Sequence, residues 1–91
     1  MTHAIVLIEA ERGGMSTLGG QIAEVDGVAE SYSVTGAWDC VAIVRVRAHD
    51  QLANVAQNGI GALAGVVRTQ TMVAFEAFSR HDLEAMFAVG E

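Results

Sequence analysis

Two short runs of apolar, mostly β-branched residues constrain the fold of this chain more than any other feature of its sequence. One covers residues 4–10. The other, residues 41–44, lies at the centre of a longer segment from residue 38 to residue 47. A strand with one solvated face alternates apolar and polar residues, whereas a near-continuous apolar run is typical of a strand covered on both faces. Both segments are therefore predicted to be strands with a cover on each side.

The stretch between these two strands is predicted to contain a helix and a further strand. Apolar residues at steps of three and four give the helix one apolar face, which consists of Met15, Leu18, Ile22 and Val25. Gly27 is placed to end it in a left-handed conformation. Residues 28–35 alternate as a strand does, with one face made of Val28, Glu30, Tyr32 and Val34. Gly36 and Ala37 make the turn that joins this strand to residues 38–47 as a hairpin.

A second helix, a fourth strand and a tail helix are predicted to follow the hairpin. Asp50 is expected to cap the second helix at its start, and Gly65 to end it. The apolar face of this helix consists of Leu52, Val55, Ala56, Ile60 and Leu63. Residues 66–78 alternate and predict one long last strand. Residues 79–91 open with the pattern of a capping box and predict a short C-terminal helix.

The order strand–helix–strand–strand–helix–strand predicts an α+β fold, the ferredoxin-like plait, in which an antiparallel sheet carries both helices on one face. We expect a single domain over residues 1–91, with its core in residues 3–78. The other sheet face would be bare, although the first and third strands are apolar on both faces. Because 52% of this 91-residue chain is apolar, its interior is too small to hide every apolar side chain. A homodimer formed through the sheet faces is therefore predicted.

Charge and cysteine content argue against several classes of function. A net charge of −6 with only five Lys and Arg residues disfavours direct binding to nucleic acid or to an anionic membrane. The single cysteine, Cys40, cannot form a disulfide within the chain, which suits a reducing compartment. The first residues lack the basic region of a secretory signal, and no apolar run is long enough to span a membrane. A cytoplasmic location is the expectation.

Residues that could carry chemistry are few and scattered. His3, His49 and His81 are not spaced as metal ligands, and Cys40 has no potential ligand near it in the sequence. Cys40 also lies inside a predicted strand, where a core position is more natural than a nucleophile. No glycine pattern for binding a phosphate or a dinucleotide occurs. We therefore expect no enzymatic activity, no metal and no cofactor.

The first candidate for ligand binding is the hairpin sequence of residues 35–39. Gly36 would let a ligand approach backbone N–H groups, and Asp39 could receive an ammonium group. The alternative is an ordinary turn, in which Gly36 supplies the dihedral angles and Asp39 caps nearby N–H groups. Trp38, the only tryptophan, fits an anchor in the core or in an interface.

The second candidate lies in the last strand. Thr69 and Thr71 are two residues apart, so both point to one face, where they could hydrogen-bond a small polar ligand. Thr is also simply a good strand former. Arg68 could hold a carboxylate in a bidentate pair, or it could be a solvated side chain.

These segments together resemble a known family. The hairpin reads Val-Thr-Gly-Ala-Trp-Asp (residues 34–39), and Ile-Gly-Ala-Leu-Ala-Gly-Val-Val-Arg-Thr-Gln-Thr (residues 60–71) leads into the last strand. In this order they resemble the effector-binding domain of the Lrp/AsnC family, the RAM (regulation of amino-acid metabolism) domain of the feast/famine regulators. The resemblance runs over about residues 3–78. It implies a sheet-to-sheet homodimer, higher assemblies such as an octameric ring, and an amino acid or similar small effector bound between dimers.

The resemblance also implies an effector site. Its residues would be Gly36, Ala37, Trp38, Asp39, Thr69 and Thr71, with Asp39 meeting the amino group of the effector or orienting the loop. Trp38 stands where members commonly have Tyr, and Ala64 where they often have Pro, so the shape of the pocket can differ. Full-length members carry an N-terminal helix-turn-helix, which has no counterpart before His3. A stand-alone sensor is therefore expected, which acts either by co-assembling with full-length Lrp/AsnC regulators or as an amino-acid-responsive scaffold.

Two other functions share this topology. A small dimeric α+β barrel enzyme, of the monooxygenase kind, would need histidines or other polar side chains inside the sheet sandwich, whereas the faces assigned here are mainly apolar. An ACT-like regulatory module would also bind an amino acid. The Gly-x-x-Asp pattern from Gly36 to Asp39 favours the Lrp/AsnC type.

Overall fold

The predicted order of elements is confirmed in a computed structural model, which describes residues 1–13 and 15–78. The strands are β1 (Thr2–Ala10), β2 (Val28–Ser33), β3 (Cys40–Val46) and β4 (Val66–Val73). The first helix is α1 (Met15–Ala23). The second, α2, begins with the α-helical turn Gln51–Ala53 and continues as the π-helical segment Asn54–Ile60. Neither helix is long and apolar enough to cross a membrane, as far as the described residues go.

The four strands form one antiparallel sheet in the order β2-β3-β1-β4, with both helices on one face. On that face, β1 and β3 bury alternate side chains against the helices: Ala4, Val6, Ile8, Cys40, Ala42, Val44 and Val46. The helices contribute Leu18, Ile22, Leu52, Val55 and Ile60, and Val25 and Leu63 pack against the edge of this cluster. The predicted apolar helix faces are thus confirmed within α1 and α2, whereas Val25 and Leu63 pack on the core from just beyond the helix ends. The side chain of Met15 lies outside the described part. The α+β ferredoxin-like plait is confirmed as well.

The other face of the sheet carries no further layer from the described residues. Its centre is formed by the half-buried side chains of Ile5, Leu7, Val41 and Ile43. β1 and β3 are therefore apolar on both faces, as predicted. We call this surface the uncovered face. Its edges are more polar, since the Glu9–Arg68 pair lies at the β4 edge and the Glu30–Arg45 pair lies at the β2 edge.

The last strand is shorter than predicted, ending at Val73 rather than at residue 78. Val73 pairs with Ala4, and the Ala74 N–H still donates to the His3 carbonyl at 2.9 Å. In the same register only Thr2 and Met1 remain, opposite residues 75 and 76, so β1 offers no partner for residues 77 and 78. Alternation continues in the sequence up to Phe78, but a strand needs a partner. The predicted tail helix, residues 79–91, lies outside the described residues.

The second strand departs from simple alternation at its start. Val28 pairs with Val44 and Glu30 with Ile43, so the register shifts between them. Such a bulge moves one residue to the opposite face of the sheet. As a result Val28 packs against the core under the helices, whereas Glu30 and Tyr32 lie on the uncovered face. Val34, the last residue of the predicted set, follows the end of β2. The third strand likewise begins at Cys40, two residues later than predicted.

The start and end of α2 differ from prediction. Asp50 occupies the N-cap position, but its side chain makes no capping bond. Instead the Oε1 atom of Gln51 accepts hydrogen bonds from the N–H groups of Arg47 and Ala48, at 3.0 and 3.1 Å. The helix ends at Ile60 rather than near Gly65, after widening to i→i+5 bonding.

Candidate functional site

The β2–β3 hairpin closes with one backbone bond, from the Val34 N–H to the Asp39 carbonyl at 3.0 Å. Gly36 has φ +111°, and a Cβ built there would meet nothing within 4 Å. The space above this glycine is therefore open. In the described part of the chain, the N–H groups of residues 35–38 donate no hydrogen bond to another backbone group. The loop thus keeps donors that the fold itself does not use.

Asp39 anchors the hairpin to β1 by two hydrogen bonds. Its N–H donates to the Ile8 carbonyl at 2.9 Å, and its Oδ2 accepts from the Ala10 N–H at 2.8 Å. The second bond forms where the pairing of β1 with β4 changes register, between Glu9 and Ala10. The carboxylate is half-buried, and its Oδ1 atom has no hydrogen-bond partner among the described residues. Asp39 therefore has a structural role through Oδ2, and its Oδ1 atom can accept a further hydrogen bond.

Trp38 lies beneath the side chain of Arg68. The Cζ atom of the guanidinium is 4.3 Å from the centroid of the indole ring. The Nε atom of Arg68 is 3.1 Å from Oε1 of Glu9, the residue directly opposite on β1. Sequence reasoning did not find this pairing of Glu9, because opposite charges on two distant strands become a signal only when the register is known.

Thr69 and Thr71 share a face, as predicted, but it is not the uncovered face. They pair with Ile8 and Val6, whose side chains point to the helices. Thr69 is half-buried and Thr71 is exposed, at the edge of the sheet. The six predicted effector residues therefore do not all lie on one side of the sheet. Trp38 of the hairpin, which contacts Arg68, and Thr69 lie near the same end of β1 on opposite sides of the sheet, and Thr71 lies farther along β4.

An open groove of about 440 Å³ lies at the other end of β3. It is lined by the turn after α1, the end of β3 and the start of α2. Val46 and Val55 supply buried apolar surface, and Arg47, Gln51 and Asn54 supply exposed polar groups. β3 separates the groove from the hairpin by about 20 Å, at roughly 3.4 Å per residue. No sequence motif marks these residues, because they come from four separate segments, of which the fourth is Met1 at the start of the chain.

Two titratable groups among the described residues have shifted pKa values. Burial raises the pKa of the Cys40 thiol, which makes it a poor nucleophile at neutral pH. The Tyr32 hydroxyl donates a hydrogen bond to Glu30, and this bond to an anion raises the pKa of Tyr32. No group of three or more His, Cys, Asp or Glu side chains that could hold a metal ion occurs in residues 1–13 and 15–78.

The match to known families covers most of the chain. Residues 3–83 match the Lrp/AsnC ligand binding domain. The chain belongs to the Lrp/AsnC family. The comparison of this Lrp/AsnC chain with curated proteins found no match.

Three solved structures place this Lrp/AsnC chain among its relatives. The Thermus thermophilus protein TTHA0845 is 46% identical, with a TM-score of 0.81 over 88% of this chain and 100% of that one. The feast or famine regulatory protein of Mycobacterium tuberculosis, solved in complex with L-methionine, is 25% identical, with a TM-score of 0.72 over 87% of this chain and 53% of that one. Escherichia coli AsnC, at 21% identity and a TM-score of 0.79, shares the fold over 87% of this chain and 54% of its own length. The chain thus spans about half of each of these two regulators.

Proposed function

We propose that this chain senses an amino acid or a chemically similar small molecule at an interface between subunits. The observation that carries the proposal is the hairpin of residues 34–39, which is anchored at its base and leaves its loop N–H groups unused. The carboxylate of an amino acid needs such donors, and its ammonium group needs an anionic acceptor. The Oδ1 atom of Asp39 supplies that acceptor. Gly36 leaves room for the ligand to approach.

The uncovered face supports a homodimer. Ile5, Leu7, Val41 and Ile43 form one apolar surface across the two central strands. A continuous apolar patch on a sheet is the usual mark of a protein interface. A second copy of the chain covers it best, because the charged residues at its edges are already paired, Glu9 with Arg68 and Glu30 with Arg45. The two copies then bury their apolar centres without stranding a charge.

A complete effector pocket needs more than one chain. The hairpin and the two threonines lie on different sides of the sheet, so a neighbouring subunit must close the site. Assemblies larger than a dimer, such as a ring of four dimers, provide such a neighbour. Effector binding at this interface then favours one assembly state over another, which is how a sensor without catalytic residues changes what it does. Full-length Lrp/AsnC regulators are the partners we propose for passing this change to transcription.

The geometry of the uncovered face does not favour the alternative function, a small dimeric α+β barrel enzyme. A reaction inside a sheet sandwich needs polar groups at its centre, whereas the centre of the uncovered face consists of Ile5, Leu7, Val41 and Ile43. His3 lies on this face but near the end of β1, opposite Arg45.

The test is a thermal-shift screen of the purified protein against the twenty amino acids at millimolar concentration. A ligand at one hundred times its dissociation constant adds about 2.7 kcal/mol to the free energy of unfolding, which a small domain shows as a clear rise in Tm. We expect one chemical class of amino acid to raise the Tm. For each hit, its N-acetyl form and its amide identify which charged end is recognised. A flat panel for all twenty would overturn the amino-acid proposal.

A further inference from the structure

We propose that Arg68 is a positioning residue that links the hairpin to the uncovered face by holding Trp38 and Glu9 at the same time. The inference rests on the proposed function in taking the hairpin as part of the effector site and a second copy of the chain as the partner on the uncovered face. The contacts that carry it are the stacking of Arg68 on Trp38, at 4.3 Å, and its hydrogen bond to Glu9, at 3.1 Å.

Trp38 is covered by the side chain of Arg68. The base of the hairpin is fixed by Asp39, but residues 35–38 donate no backbone hydrogen bond within the described residues. The indole is half-buried, and the guanidinium of Arg68 covers one of its faces. The position of Trp38, and with it the shape of the loop, therefore depends on where Arg68 lies.

Arg68 makes two contacts at the same time, with Glu9 and with Trp38. A planar guanidinium can stack on a ring through its face while its edge donates a hydrogen bond, which an ammonium group cannot do. Arg68 uses both options, since its Nε–H donates to Glu9 while its plane covers Trp38. Glu9 belongs to β1, on the side that carries Ile5 and Leu7. One side chain thus touches both the loop and the edge of the surface where a second copy would lie.

These contacts connect the binding of a second copy with the binding of an effector. A second copy on the uncovered face restricts the Glu9–Arg68 pair, and Arg68 passes that restriction to Trp38. In the other direction, an effector that moves Trp38 disturbs the pair at the edge of the dimer interface. Such coupling is reciprocal by thermodynamic necessity.

Trp38 reports on this link directly, because it is the only tryptophan. In Arg68→Met the unbranched chain stays and the guanidinium is lost. We expect acrylamide, a neutral quencher, to reach Trp38 more readily in this variant, and the ring to be uncovered about threefold more often, the equilibrium factor of an exposed cation–π contact. Glu9→Gln should also raise the quenching of Trp38, but by a smaller amount. Arg47→Met removes the same charge at the far end of β3 and should leave quenching unchanged.

The link to the uncovered face is tested by a double-mutant cycle that needs no effector. Ile43→Lys places a charge in the apolar centre and opposes the dimer. We expect it to raise the quenching of Trp38 in the wild-type background and to have no effect in the Arg68→Met background. Equal effects of Ile43→Lys in both backgrounds, no effect in either, or unchanged quenching in Arg68→Met alone would each overturn the inference. These outcomes are separate from the amino-acid screen, whose failure would overturn the proposed function and leave the link standing.

Discussion

The carboxylate of Asp39 and the backbone N–H of Ala10 are joined by a 2.8 Å hydrogen bond across the end of β1. The N–H of the same aspartate donates to Ile8 at 2.9 Å, so one loop residue fastens the hairpin to the central strand twice. The first of these bonds depends on the side chain alone. The structural role of this residue and its proposed role in ligand binding can therefore be separated by substitution.

Asp39→Ala should lower the free energy of unfolding by about 1–2 kcal/mol, because it leaves the part-buried Ala10 N–H without an acceptor. Asp39→Asn keeps an acceptor oxygen and should cost less, while it removes the charge that an effector's ammonium group would meet. Urea denaturation measures the first effect and ligand affinity the second. Asp50→Ala is the control, since that carboxylate makes no capping bond. An Asp39→Asn variant that binds the effector as tightly as the wild type would restrict Asp39 to its structural role.

Gly59→Ala should destabilise the protein by about 1–3 kcal/mol, the usual range for overpacking. A Cβ at Gly59 would lie 2.5 Å from Cγ1 of Val25, so α2 and the turn after α1 could not keep their separation. Gly20→Ala is a matched control in α1, where a Cβ meets nothing within 4 Å. This change should instead stabilise by about 0.5–1 kcal/mol, since alanine favours a helix. The two substitutions should move Tm in opposite directions, and a shift of the same sign would contradict the packing argument.

Ile43→Lys should convert the dimer to a monomer with a folded core. The substitution places a charge in the middle of the uncovered face, opposite Ile5, where a second copy would have to desolvate it. Sedimentation equilibrium measures the assembly state, and circular dichroism checks the fold. Gln57→Lys adds a charge to the exposed side of α2 and should leave assembly unchanged. If the wild-type protein sediments as a monomer at micromolar concentration, the sheet-face dimer is wrong.

Stability should fall at alkaline pH, in part through Cys40. Burial raises the pKa of this thiol above its ordinary value of 9.0, so the folded protein holds the proton to a higher pH than the unfolded chain does. The contribution of the protonated Cys40 thiol to the free energy of unfolding is complete at pH values below 9.0 and is lost as the pH rises through the raised pKa. Urea denaturation of the wild type and of Cys40→Ala across this range should show the two free energies converging. Parallel curves would mean that Cys40 does not titrate as its burial requires.

Much of the fold follows from periodicity. Leu18 and Ile22 in α1, and Leu52, Val55 and Ile60 in α2, were predicted from their spacing alone and are buried. Spacing works for these residues because one face of each helix has a single environment. The assignment of the last strand beyond Val73 fails for the complementary reason, since a strand is defined by its partner and the β1–β4 ladder stops at the Ala4–Val73 pair.

The candidate site was only partly accessible to sequence reasoning. The need for glycine at position 36 was predictable, and its φ of +111° bears this out. The capping of α2 was not predictable. Asp50 and Gln51 can both accept hydrogen bonds from preceding N–H groups, and the path of the chain selects Gln51. The contact of Arg68 with Glu9 and Trp38 joins three segments, so it follows from the strand register and not from any local pattern.

The central position of β1 has a consequence for how the protein is made. β1 lies between β3 and β4, so its hydrogen-bonding edges wait for segments that are translated after it, and the last of these is Val66–Val73. Until then an apolar strand with an open edge is exposed to solvent, which is the usual template for aggregation. Chains that stop before β4 should therefore accumulate as aggregates or be degraded, whatever the quality of the helices they already contain. Pairings this distant in sequence also slow folding, so the sheet should be completed only after β4 has been synthesised.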